Sequence, residues 1–117
     1  MPPDLNIAIE TMQKNLGPAL PQVMEKLYQK DPALFAQHLA GKQFAKPENG
    51  ALDEATRALI HLAEAAAAKS SGCARAMIHR AKALGVNDAA IKKALHIGLF
   101  AAQGATLEAL EGALDEL

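Results

Sequence analysis

The single cysteine of the chain lies in Ser70-Ser71-Gly72-Cys73-Ala74-Arg75-Ala76-Met77-Ile78-His79. A turn of small residues leads into a helical pattern, which places the thiol in the first turn of a helix. There the unpaired N–H groups and the positive end of the helix dipole would favour a thiolate. Lys69 and Arg75, close in sequence, would add to this. A thiolate is the form that attacks peroxides and disulfides. The competing reading is a small, buried, inert thiol, since free cysteine is among the most buried residue types.

The histidines offer weaker chemistry. His61 and Glu64 stand at i, i+3 on one helix and His79 on the next, so the three could form a two-histidine, one-carboxylate set. The spacing is not that of H-E-x-x-H, and Arg57 beside His61 would repel a cation. Solvated surface residues are therefore expected, and no metal or cofactor is implied. His96, in an apolar helix, reads as a hydrogen-bonded core or interface residue, and His38 has no evident partner. Ser70 and Ser71 do not sit on a G-x-S-x-G elbow, which argues against a serine hydrolase.

The elements that must position these residues are all helical, because no segment alternates with the period of two that strands require. Asp4 can cap a first helix to about Asn15, carrying Ile7, Ile9 and Met12, and Leu16-Gly17-Pro18 ends it. A second helix runs from about Pro18 to Gln29 with Leu20, Val23, Met24 and Leu27 on one face. Asp31-Pro32 starts a third, to about Ala45. Lys46-Pro47-Glu48-Asn49-Gly50 is the one clear loop. A long helix then opens at Leu52-Asp53-Glu54 and reaches about Lys69. Its core stripe is read as Ala55, Leu59, Leu62, Ala63 and Ala66, and its polar stripe as Glu54, Arg57, His61 and Glu64. The cysteine helix runs from about Gly72 to Gly85, a good left-handed terminator. Asn87 caps the next helix, which is apolar almost all round from Ala94 to Ala102 apart from His96, implying burial on both sides. Thr106 is expected to cap a last amphipathic helix with Leu107, Leu110, Leu114 and Leu117. The sum is an all-α bundle of about six to seven helices.

At 117 residues the chain is expected to form one domain, with N-terminal helices in residues 1–46 and a core region in 52–117. Half of the residues are hydrophobic but only 3% are aromatic, so the core is built from slender alanine and leucine side chains. Such helices gain burial by packing on a second subunit, and a homo-oligomer is expected. The net charge is −1 with no basic stripe, which disfavours nucleic acid. The N-terminus MPPDLNIAIE lacks a leader's basic and apolar regions, and no apolar run approaches the roughly 20 residues that span a bilayer. With one cysteine and no export signal, a cytoplasmic location is expected.

Several stretches resemble one family. Leu52-Asp53-Glu54-Ala55-Thr56-Arg57-Ala58-Leu59-Ile60 is similar to the LDxKTRELI opening of AhpD-like alkylhydroperoxidases, also called carboxymuconolactone decarboxylase-like proteins. After it come a small-residue helix, a Gly-Cys turn, a helix ending in Ala83-Leu84-Gly85-Val86, a polar cap at Asn87, and an apolar helix from Leu99 towards Leu107. Leu16 to Ala45 resembles the N-terminal helices of short members. Redox members of the family carry C-x-x-C-x-x-x-H with a glutamate twelve residues before the first cysteine. One thiol attacks, the other resolves the intermediate as a disulfide, and the histidine and glutamate relay protons.

The helix-ending glycine sets the register. Gly85 follows Cys73 by twelve residues, as it follows the second cysteine in the family. Cys73 then matches the attacking cysteine, Ser70 the first cysteine, Met77 the histidine and Ala58 the glutamate. His79 falls two residues late, about 200° further around the helix. The site resembles a family redox site reduced to its nucleophile.

Three functional readings follow. In the first, Cys73 reduces a peroxide alone and an external thiol restores it, with Ser70 as a hydrogen-bond donor and His79, Glu64 or His61 as proton carriers. Reduction by dihydrolipoyl groups, implied by the resemblance, depends on the missing cysteine pair. In the second, the protein is a non-catalytic scaffold or small-ligand binder. In the third, it follows the lactone decarboxylase branch, with Arg57, His61 and Arg75 as the local groups for proton transfer and anion binding. The resemblance also implies homo-oligomers, trimers or hexamers.

Overall fold

Short polar side chains start four of the helices. Asp4 accepts hydrogen bonds from the backbone N–H groups of Asn6 (3.0 Å) and Ile7 (3.2 Å), capping α1 (Leu5–Leu16). Asp31 accepts from Leu34 (3.1 Å) at the start of α3 (Pro32–Ala45), with Pro32 at the first helical position. Asp53 accepts from Thr56 (2.8 Å) before α4 (Glu54–Ala67), and Asn87 from Ala90 (2.8 Å) before α6 (Asp88–Ala109). Each bond satisfies one of the N–H groups that a helix start leaves without a partner. With α2 (Gln22–Lys30), α5 (Ser71–Ala83) and α7 (Glu111–Leu114), the described residues form an all-helical chain. The computed structural model describes residues 4–117; Met1–Pro3, the first residues of the segment read for a leader, lie outside it. Among the described residues, no helix is long and apolar enough to cross a membrane.

Two apolar clusters hold the bundle. Ile9, Met12 and Phe35 join α1 to α3, and the Tyr28 ring of α2 meets Phe35 edge-on with centroids 5.9 Å apart. The larger cluster comprises Ala58 and Leu62 of α4, Ala76, Met77 and Ala81 of α5, and Ile91 and Ala94 of α6. Leu16, at the end of α1, packs against this second cluster and ties the N-terminal helices to it.

The two termini that flank the cysteine helix are closed alike. At the end of α5, Gly85 has φ of 81°, and the N–H groups of Gly85 and Val86 donate to the carbonyls of Lys82 and Ala81. This is the paired bonding expected of a helix-ending glycine. At the end of α4 the same pair of bonds runs from Lys69 to Ala66 and from Ser70 to Ala65, but the left-handed residue is Lys69, with φ of 59°. A side chain in that conformation costs about 1 kcal/mol or more. The cost yields a connection of three residues, so that α5 starts at Ser71 and doubles back along α4.

Several expectations are corrected. Helix α6 does not stop for a cap at Thr106; it runs on to Ala109, and the Thr106 hydroxyl donates to the Ala102 carbonyl (3.0 Å) inside the helix. The segment at Pro18 is a single 3-10 turn, and α2 begins only at Gln22. On α4 the fully buried residues are Ala58, Leu62 and Ala65, while Ala55, Leu59, Ala63 and Ala66 are partly exposed. The core face is rotated because α4 packs against both α5 and α6. The double-sided burial expected of α6 is absent from the single chain: Ile97, Leu99 and Phe100 are 63%, 60% and 75% exposed, and His96 is exposed as well.

Helices α4 and α6 approach closely at Gly98. A methyl group built there would collide with the Ala63 carbonyl oxygen and lie 2.9 Å from the Ala66 Cβ. The obstacle is backbone, which cannot swing aside. Gly98→Ala is therefore expected to lower unfolding stability by about 1–3 kcal/mol through overpacking, although it improves intrinsic helix propensity. A urea midpoint equal to or above that of the parent would refute this close contact.

Candidate functional site

Ser70 ends the α4–α5 connection and is the N-cap residue of α5, yet its side chain makes no capping bond. The first intrahelical bond of α5 is that from the Ala74 N–H to the Ser70 carbonyl (3.0 Å). Cys73, in the first turn, is partly exposed and free. The chain passing from α1 to α2 lies over this turn, since a Cβ at Gly72 would be 3.8 Å from the Pro21 Cβ. The thiol thus sits at the margin of the bundle, neither sealed in the core nor fully in solvent.

The positions matched to the family's proton relay are apolar and interior. Ala58 is 2% exposed and Met77 is 9% exposed, and both belong to the larger core cluster. Arg75, His79 and Glu64 are exposed. Among the described residues, no three or more His, Cys, Asp or Glu side chains gather where they could hold a metal ion.

His61 departs from its expected place on a solvated stripe. It is partly buried, and its Nδ1 lies 3.1 Å from the Nζ of Lys46. The same amine donates to the Met77 sulfur at 3.7 Å. Lys46 is the C-cap residue of α3, whose backbone N–H donates to the Lys42 carbonyl (2.7 Å). Pro47 prevents the helix from continuing, so the Lys46 side chain turns off the helix end towards α4 and α5. Three helices therefore contribute to one polar cluster.

The charges around the cluster are uneven. Arg80 of α5 pairs with Glu54 of α4, its Nε donating to Oε1 at 2.9 Å. The Arg57 guanidinium donates to the Leu52 carbonyl at 2.6 Å. The Arg80–Glu54 pair is the one carboxylate ion pair among the described residues, so Lys46 has no carboxylate within 4.0 Å. Burial lowers the pKa of Lys46 below its ordinary 10.5, and the positive charges of Lys42, Arg57 and Arg80 lower it further against the opposing Glu54. Burial likewise lowers His61 from 6.5, reinforced by Lys46, Lys42 and His38 and opposed by Glu64. Both groups are thereby biased towards their neutral forms.

Lys46 carried no signal in the sequence beyond standing before a proline at a helix end. Its approach to His61 spans 15 positions and its approach to Met77 spans 31. Only the packing of α3 beside α4 and α5 creates them.

The shift at His61 predicts a pH dependence of stability. Its folded pKa lies below the unfolded value, so as pH falls through 6.5 the unfolded chain takes up the proton first. Stability is full above that value and declines as pH falls towards the folded pKa. Lys46 acts with the same sign at higher pH. The Asp53 carboxyl, lowered from 3.8 chiefly by its bond from the Thr56 backbone, loses its contribution only in a more acidic range. Denaturant titrations between about pH 7.5 and 5.5 should therefore show a decline in the parent that is smaller in His61→Gln. Equal slopes would contradict this burial of the imidazole.

A search of the curated proteins gives no match. The family model described as the carboxymuconolactone decarboxylase family matches residues 32–116, from the start of α3 almost to the end of the chain. The match takes in the capped start of α4, the cysteine turn, and the glycine that closes α5. With most of its length aligned to that model, the chain belongs to the carboxymuconolactone decarboxylase family, which includes the AhpD-like proteins.

Proposed function

We propose that the protein is a one-cysteine, thiol-dependent peroxide reductase of this family, acting through Cys73. The observation that supports this most is the setting of the thiol: the first turn of a 13-residue helix whose N-cap side chain makes no capping bond. The N–H groups of that turn remain available to a negative charge on sulfur. Partial exposure lets a small hydroperoxide reach it.

In the proposed reaction the thiolate attacks one peroxide oxygen and the O–O bond breaks. Cys73 becomes a sulfenic acid, and the other oxygen takes a proton and leaves as alcohol or water. An external thiol then displaces water from the sulfenic acid to give a mixed disulfide. A second thiol restores Cys73 and leaves as the small disulfide. Ser70, one turn before Cys73, occupies the place of the family's resolving cysteine but supplies only a hydroxyl. Of the three proton carriers considered from sequence, His61 has the best support, because its partner Lys46 reaches Met77, one turn beyond Cys73. The whole chain is proposed to serve as one domain of the family.

A second reading, a non-catalytic oligomeric member, is favoured by the burial of Ala58 and Met77 where the family's relay would stand. The two readings separate on one experiment. Hydrogen peroxide should oxidise Cys73 in the folded protein at least about tenfold faster than a free thiol, with a sulfenic-acid trap captured on that residue; Cys73→Ser abolishes both. A rate no greater than that of a free thiol would leave the scaffold reading.

We further propose that the protein assembles with copies of itself, as trimers or hexamers. The radius of gyration, 16.9 Å, exceeds the roughly 13 Å expected of a compact chain of this length. Residues 103–117 are exposed throughout, and Ile97, Leu99 and Phe100 stand uncovered on α6. Beside them lies an open apolar groove of about 310 Å³ lined by Leu59, Ile60, Ala63 and Ile97. Light scattering at micromolar concentration should give a multiple of the single-chain mass, and Phe100→Asp should reduce it. A parent protein with the mass of one chain would refute the assembly.

A further inference from the structure

Lys46 is a partly buried amine placed 3.1 Å from an imidazole nitrogen and 3.7 Å from a thioether, with no carboxylate within 4.0 Å. This is an unusual situation for a lysine. A surface lysine keeps its ammonium in water, and an interior one is normally paired with an acid. Here the neighbours at hydrogen-bonding distance are both able to accept and neither is anionic. The amine is also one of nine lysines in the chain, the other eight lying on exposed positions.

We propose that Lys46 is a nucleophilic amine that condenses with the carbonyl group of a small oxo acid, with His61 as its proton carrier. The geometry supplies the parts. The Lys46 nitrogen would attack the carbonyl carbon, forming a C–N bond, while the carbonyl oxygen takes a proton to give a carbinolamine. His61, hydrogen-bonded to the same nitrogen, carries the first proton that the nitrogen loses to that oxygen and the second to the departing hydroxyl. Water leaves and the C=N bond of an imine remains. No electrons are exchanged, and the reverse sequence with water releases the substrate.

The charges around the pair select for an acid. Lys42 of α3, Arg57 of α4 and Arg80 of α5 are near enough to lower the amine's proton affinity, against Glu54 alone on the acidic side. On the imidazole side, Lys42 and His38 face Glu64. A carboxylate on the substrate would neutralise part of this excess while its carbonyl met Lys46. Burial and like charge together keep a larger fraction of the amine unprotonated near neutral pH. Cys73 takes no part, and His61 is the one group that the amine and thiol chemistries would share.

The test is reductive trapping on the full chain with glyoxylate and cyanoborohydride near neutral pH, followed by peptide mass spectrometry. Lys46 should be alkylated at least about tenfold faster than Lys92 and Lys93, which are exposed on α6. His61→Gln should slow the reaction at Lys46 and shift its pH profile, leaving Lys92 and Lys93 unchanged, and Cys73→Ser should leave all three as in the parent. With acetaldehyde in place of glyoxylate, the preference for Lys46 over Lys92 should shrink. Labelling of Lys46 no faster than Lys92 would overturn the proposal. An undiminished preference with acetaldehyde would overturn the assignment to an oxo acid.

Discussion

The architecture depends on how closely α6 can lie against α4. Gly98 faces the Ala63 carbonyl and the Ala66 methyl at a distance that leaves no room for a side chain. Helices approach this closely only where both surfaces are small, and the gain is dispersion between backbones rather than burial of large side chains. The alanine-rich composition follows from the same constraint. It also explains why the outer face of α6 remains apolar and uncovered: a slender pair of helices has little side-chain volume with which to bury both of its faces.

With α4 held in this way, the position of α5 follows from one strained residue. Lys69 adopts the left-handed conformation that glycine would take without penalty, and the connection it makes is too short to allow α5 any other course than back along α4. Cys73 is thereby set one turn from Met77, and the first turn of its helix is placed under Pro21. The same antiparallel packing buries Ala58 and Met77 in the interior of the bundle. Polar groups at those two places would lie within an apolar cluster, which the residues present extend.

Charge has gathered instead at the rim, where α3 ends. Burial biases both Lys46 and His61 towards their neutral forms, the charge of Lys46 adds to the effect at His61, and Glu54 and Glu64 oppose it without reversing it. A buried ammonium facing other cations is costly, but an amine and an imidazole sharing a hydrogen bond are not. The arrangement persists because Pro47 ends α3 at that point and the lysine stem can cover apolar surface on the way in. The partly buried polar pair of the molecule therefore lies at the end of α3, against α4 and α5.

Much of this was legible in the residues themselves. The helical class, the caps at Asp4, Asp31 and Asn87, the closure at Gly85 and the placing of Cys73 in a first turn are local matters, set by bonds between residues a few positions apart. The family was legible too, because its motifs are runs of neighbouring residues in a set order. What misled was also local: Thr106 has the chemistry of a cap, but nothing in the sequence says that the helix before it has ended, and its hydroxyl bonds backwards instead. The rotated core face of α4, the burial of His61 and its bond with Lys46 belong to another category. They depend on which helices lie beside one another and at what angle, and that is decided by packing at Gly98 and by the turn at Lys69. A sequence determines where a helix begins and what its faces carry; only the tertiary structure decides which face meets which, because that choice is made by the summed contacts of residues far apart in the chain.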